Sequence, residues 1–166
     1  VPYGIGRLAS VSAGSPGSEV SRTDLIAYDP AGRILQSRQT TAGEAFLMTQ
    51  AFNRMGAPVT LSYPSGRVVD YQYDASGRLN GVSGMRPDGT PEVYVEPGSV
   101  EYSAHGAVVG WLLGNGVQET TNFNERLQPM GSSFEKSGQL LGINYDYGAP
   151  GLNNGNVRAQ EVFTLV

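Results

Sequence analysis

The residues with chemistry to offer in this 166-residue chain are few: one histidine, His105, recurring aspartates Asp29, Asp74 and Asp146, and arginines that each follow a glycine, Arg33, Arg67 and Arg78. A lone imidazole in a chain without cysteine cannot build a multi-histidine or thiolate metal site. A serine nucleophile needs a context such as GxSxG, and none is present. The aspartates come singly beside a glycine, whereas a calcium loop crowds its oxygen ligands into one segment. Gly4-Ile5-Gly6 and Gly114-Asn115-Gly116 lack the following Lys-Ser/Thr and the strand-then-helix setting of a phosphate loop. No catalytic, cofactor-binding or metal-ligating residue is assigned, and the chain is expected not to be an enzyme.

The remaining chemistry is recognition. Arg33, Arg67 and Arg78 could line up toward an acidic ligand, but each stands where it can pair with a neighbouring aspartate or a backbone carbonyl, and that pairing is the expectation. Trp111, with Val109 and Leu113 on its face, is expected in the core. Trp111, Tyr94 and Tyr102 are also the candidate contacts for a glycan. The net charge of −4 carries no basic stripe for nucleic acid, and no apolar run reaches membrane-spanning length.

Glycine sets the architecture. The 23 glycines and 10 prolines come with nine tyrosines and five phenylalanines at regular places, which is a turn-dense folded chain and not a disordered one. Aromatic residues followed by a polar step and a turn recur at Tyr3, Tyr28, Phe52, Tyr73, Tyr102, Phe123 and Tyr145. Their steps of roughly 21 to 29 residues are those of stacked supersecondary units. In "DPAGR" and "DASGR" the aspartate can accept backbone amides and the glycine can take a positive φ, which makes a tight reversal. The flanks alternate with period two: Val69, Tyr71 and Tyr73 share one face, and Val68, Asp70 and Gln72 the other. "GNG" between "GWLL" and "VQETTNF" predicts a hairpin.

Ala42 to Phe52 is made of good helix formers, yet its place in the repeat predicts a strand. Ser12 to Ser21 reads as a long mobile loop, and the segment from Ser83 to Ser99 as a second long excursion. The whole predicts an all-β chain, residues 1–166 as a single array of tandem antiparallel hairpins in a twisted, spiralling sheet.

Tyr28-Asp29, Gly32-Arg33, Tyr73-Asp74 and Gly77-Arg78, with the related Gly66-Arg67, resemble the RHS (rearrangement hotspot) or YD repeat. The resemblance implies a segment of a hollow β-shell, a structural, non-enzymatic part of a larger, bacterial, secreted or cell-surface protein. Such shells enclose a C-terminal toxic domain, and a related barrel stands in the teneurin ectodomain. The implied partners are the rest of the parent protein and its C-terminal effector. No DPxG boundary motif closes this chain, so wall without cargo is expected. Bare sheet edges imply self-association. A glycan-binding adhesion module is the alternative. No cofactor, nucleic acid or membrane insertion is expected.

Overall fold

The computed structural model describes residues 1–15, 17–149 and 151–164. Among them every regular element is a strand: β1 (Ser10–Ser15), β2 (Ser18–Tyr28), β3 (Ile34–Thr41), β4 (Glu44–Phe52), β5 (Pro58–Ser62), β6 (Val68–Tyr73) and β7 (Leu79–Met85). They continue as β8 (Pro91–Val95), β9 (Glu101–Tyr102), β10 (Val108–Leu112), β11 (Gln118–Phe123), β12 (Pro129–Glu135), β13 (Gln139–Asp146) and β14 (Ala159–Thr164). The first eight hydrogen-bond in chain order in one sheet, and β9 to β14 do the same in another. All recorded pairings are antiparallel. The chain is an all-β meander of open, twisted sheets.

By contacts it divides into two compact units, Val1–Tyr71 with Gly84–Glu92, and Gln72–Ser83 with Val93–Val166. The first buries Leu25 and Tyr28, the second Val95 and Tyr147, and no large side chain in either falls below 2% exposure. A sheet with so little covering it must be held by its backbone ladder and its turns.

Eight of the described turns are of one kind. At Asp29, Asn53, Tyr63, Asp74, Arg86, Ser103, Leu113 and Asn124 the residue donates its N–H to the carbonyl four residues on and accepts from the N–H three residues on. That is a type I turn closed by a residue at positive φ, the three-residue hairpin loop. The turns alternate between two caps. After an aromatic, the first residue caps: Asp29, Asn53, Asp74, Ser103 and Asn124 each accept the amide four residues on. In the intervening turns the first residue is Tyr63, Arg86 or Leu113, which cannot do this. There the third residue caps the same amide, Ser65 at 3.4 Å, Asp88 at 2.9 Å and Asn115 at 3.0 Å.

The expected strand at Ala42 to Phe52 is β4, preceded by a turn at Ala42 and Gly43. The local helix propensity loses to pairing with β3 and β5 on both edges. The hairpin at "GNG" forms, and its glycines do different things. Gly116 sits at φ 82°, while a Cβ on Gly114 would collide with the carbonyl of Val93.

Two expectations are corrected. Ser12 to Ser21, read as a loop, is the β1–β2 hairpin with a bulge between Ala13 and Gly14, although Pro16 lies outside the described residues. The Ser83 to Ser99 excursion carries the end of β7, a regular turn at Arg86 to Thr90, and β8. In both, small and turn-prone residues mask a period-two backbone that the ladder rewards. Among the described residues no helix is long and apolar enough to cross a membrane.

Leu127 occupies the position that glycine fills in the other seven turns, at φ 61°, and its side chain is 56% exposed. A left-handed conformation costs a non-glycine residue about 1–2 kcal/mol. Leu127→Gly is therefore expected to raise the urea midpoint, with Gly77→Leu lowering it by a comparable amount, both read by circular dichroism.

Candidate functional site

The recurring side chains converge on a joint that links one turn to the aromatic of the next. In the first unit Asp29 is 7% exposed. Its carboxylate accepts the Arg33 backbone N–H at 2.9 Å and the Arg33 Nε at 2.6 Å. Held this way, the Arg33 guanidinium lies over the Phe52 ring, 4.7 Å from its centroid, and donates to the Asn53 carbonyl at 3.2 Å. In the second unit Asp74 accepts the backbone N–H of Arg78 at 2.9 Å and its Nε at 3.0 Å. The Arg78 guanidinium lies 4.8 Å from the centroid of the Tyr102 ring. The Tyr102 hydroxyl donates to the carbonyl of Leu79, the residue after that arginine, at 2.9 Å.

Arg7 repeats the arrangement toward Tyr28. Its guanidinium is 5.5 Å from the ring centroid, and the Tyr28 hydroxyl donates to the carbonyl of Leu8 at 2.7 Å. A Cβ on Gly32 would strike the Arg7 guanidinium, so this glycine serves both the turn, at φ 89°, and the approach of the arginine. One joint thus combines an oriented cation over a ring with a phenol-to-carbonyl bond. Contributions of about 0.5–1 kcal/mol for the first and about 1 kcal/mol for the second are the usual ones.

A neutral version holds the last described joint. Asn124 and Gln128 stand where Asp74 and Arg78 stand, and the Asn124 amide donates to Gln128 Oε1 at 2.9 Å. Gln128 then exchanges amide hydrogen bonds with Asn153, 2.6 Å in one direction and 3.2 Å in the other, and Arg126 donates to the Asn153 carbonyl at 2.6 Å. Asn153 is the receiving side of this joint.

The other candidates fall elsewhere. Gly66 and Arg67 lie in one of the intervening turns; Arg67 faces Glu92 at 3.7 Å, and Glu92 also accepts from Arg86 at 2.7 Å. Tyr73 is half-buried ahead of Asp74 and Gly77. Trp111 is half-buried, and its indole N–H donates to Glu119 at 2.7 Å. Tyr94 is half-buried with its carbonyl accepting from Gly114 at 3.0 Å. Tyr102 is half-buried beneath Arg78. His105 is an exposed turn residue whose ring meets Phe123 edge-on at 5.0 Å. Asp146 accepts the Gly148 amide at 2.7 Å. Among the described residues no group of His, Asp and Glu could hold a metal ion.

The sequence reading missed the reach of the arginines. Pairing within or beside their own turn is only part of it, since Arg33 and Arg78 also cover the aromatic of the next unit. The available signal was the Gly-Arg at Gly6-Arg7, which follows no aspartate; its Nε donates to the Tyr3 carbonyl at 3.0 Å and its guanidinium lies over the Tyr28 ring.

Residues 53–91 match the RHS repeat family. No curated protein matches the chain in sequence. The fold is similar to that in the crystal structure of TcdB2-TccC3, at 20% identity and a TM-score of 0.75, covering 86% of this chain and 8% of that one. It is also similar to a Photorhabdus luminescens Tc holotoxin pore, at 19% identity and a TM-score of 0.76, covering 87% of this chain and 8% of that one. A further structure of TcdB2-TccC3 with Cdc42 is similar at 19% identity and a TM-score of 0.74, covering 88% and 8%. The fold and joint define a β-hairpin repeat array. Within that array residues 53–91 are the segment that matches the RHS repeat, and the rest of the chain shares the fold of these structures.

The joint is acid-sensitive where it is charged. Burial pushes the Asp29 carboxyl up, but the Arg33 backbone N–H and guanidinium outweigh it and leave it below the ordinary value. For Asp74 the Arg78 backbone N–H is the largest influence and the result is again a lowered carboxyl. A lowered folded-state pKa stabilises above the unfolded value and loses that contribution as pH falls through the folded one. Stability should thus be level through neutral pH and fall below about pH 4, and Asp29→Asn with Asp74→Asn should flatten that fall in urea titrations. Tyr102→Phe, which leaves the Leu79 carbonyl without its donor, should cost about 1 kcal/mol. Arg78→Ala should cost a similar amount through the ring contact, with the two effects non-additive in a double-mutant cycle.

Proposed function

We propose that this chain is wall: a structural stretch of a larger RHS/YD-repeat shell that encloses or presents another domain of its polypeptide. The observation that carries the reading is the joint, in which Asp29, Arg33, Asp74 and Arg78 are spent on linking one hairpin to the next. The neighbours support it, since the chain spans only 8% of the length of the TcdB2-TccC3 and Tc holotoxin chains it resembles. Its partners in this reading are the remainder of that polypeptide and the effector domain it carries, and its place is a secreted bacterial protein. The exposed strands β1 and β14, each at the end of its sheet, are where further strands or a second copy would pair. The aromatic glycan reading loses support, because the Trp111 indole N–H and the Tyr102 hydroxyl are already taken within the fold.

The test is cryo-electron microscopy of the full natural polypeptide, paired with limited proteolysis of its non-repeat part. Expected are these strands as a stretch of continuous wall and a non-repeat domain that resists protease until the wall is denatured. Non-repeat domains cut at the rate of their isolated forms, beside an unclosed sheet, would overturn the proposal.

A further inference from the structure

We infer that Gln50 is the positioning residue that replaces the missing phenol hydroxyl of the Phe52 joint. In the two joints with a tyrosine, the hydroxyl donates to the carbonyl directly after the arginine: Tyr28 to Leu8 after Arg7, and Tyr102 to Leu79 after Arg78. Phe52 has no hydroxyl, yet its arginine takes the same position over the ring, 4.7 Å against 4.8 Å for Tyr102. The carbonyl equivalent to Leu8 and Leu79 is that of Ile34, after Arg33. It accepts instead from the side-chain amide of Gln50 at 2.6 Å.

The position of Gln50 explains the substitution. In a strand, residues two apart share a face, so a side chain two before the aromatic lies alongside the ring. Gln50 and Phe52 are both in β4, and an amide reaching from there arrives at the acceptor that a phenol would reach from the ring. In the two tyrosine joints the residue two before the ring is aliphatic, Ile26 ahead of Tyr28 and Val100 ahead of Tyr102. The joint therefore requires one donor to the carbonyl after the arginine. Tyr28 and Tyr102 supply it from the ring, and the Phe52 joint supplies it from Gln50. This holds whether or not the array encloses a further domain.

The experiment is a double-mutant cycle read by native-state hydrogen exchange at the β3 and β4 amides around Ile34. Gln50→Ile removes the amide and installs the residue type found in the tyrosine units, and should speed local exchange roughly fivefold to tenfold. Adding Phe52→Tyr to that variant rebuilds a tyrosine joint and should restore most of the protection. Phe52→Tyr alone should gain far less, because the acceptor is already served. If Gln50→Ile fails to fold, recovery of folding on adding Phe52→Tyr supports the inference, and failure of both overturns it. Unchanged exchange in Gln50→Ile, or an equal effect of Phe52→Tyr in the two backgrounds, would also overturn it.

Discussion

The charged joints at Phe52 and Tyr102 depend on a carboxylate fixing the direction of an arginine. A free guanidinium on a flexible stem gains little from a surface ion pair, because ordering the side chain costs about what the pair returns. Here Asp29 and Asp74 are themselves fixed by the turn, accepting the backbone N–H and the Nε of the same arginine. The turn is thus the scaffold that pre-orients the cation. The aromatic of the following unit then meets a surface already in place, so the contact is made without a further large entropic cost.

That constraint explains how the chain manages with so little core. Leu25, Tyr28, Val95 and Tyr147 are the buried apolar side chains among the described residues. Each hairpin is stabilised along its length by the ladder and at its end by a capped turn. Arg7 and Tyr28, Arg33 and Phe52, and Arg78 and Tyr102 tie three hairpins to their successors. Because every interaction is local or runs to the next unit, stability is close to a sum of units and joints, as in other linear repeats. The cost is exposed apolar surface, with Phe46, Leu47, Val162 and Phe163 all more than 40% exposed, which fits a sheet whose faces serve something beyond itself.

The sequence made the fold legible because turn chemistry and alternation agreed at most units. Tyr-Asp-x-x-Gly-Arg gives an aromatic, a cap, a positive-φ position and a cation in fixed order, so Tyr28 and Tyr73 announce their turns. Reading failed where composition and backbone disagree. Ser12 to Ser21 is small and polar enough to read as loop, yet its partners on β2 make it strand. The joint was only half legible: the Asp–Arg pair is four residues apart and visible, whereas the Arg–aromatic contact and the Gln50–Ile34 bond span a whole unit. Nothing local marks Gln50 as other than an ordinary strand residue.

The same joint shows why the pattern can drift without losing the fold. What persists at these turns is geometry: an acceptor at the first residue and a positive φ at the fourth, joined at Arg33, Arg78 and Gln128 by a fifth residue that reaches the next unit. Asp, Asn and Ser all supply the acceptor at their turns. Asn124 and Gln128 show that even the ion pair is replaceable, since two amides reproduce the lock and Asn153 takes the place of a ring. Phe52 shows that the phenol is replaceable as well. A constraint that several residue sets can meet permits sequences to diverge while the backbone stays. The similarity to the TcdB2-TccC3 fold at a TM-score of 0.75 with 20% identity is the result expected of such a constraint.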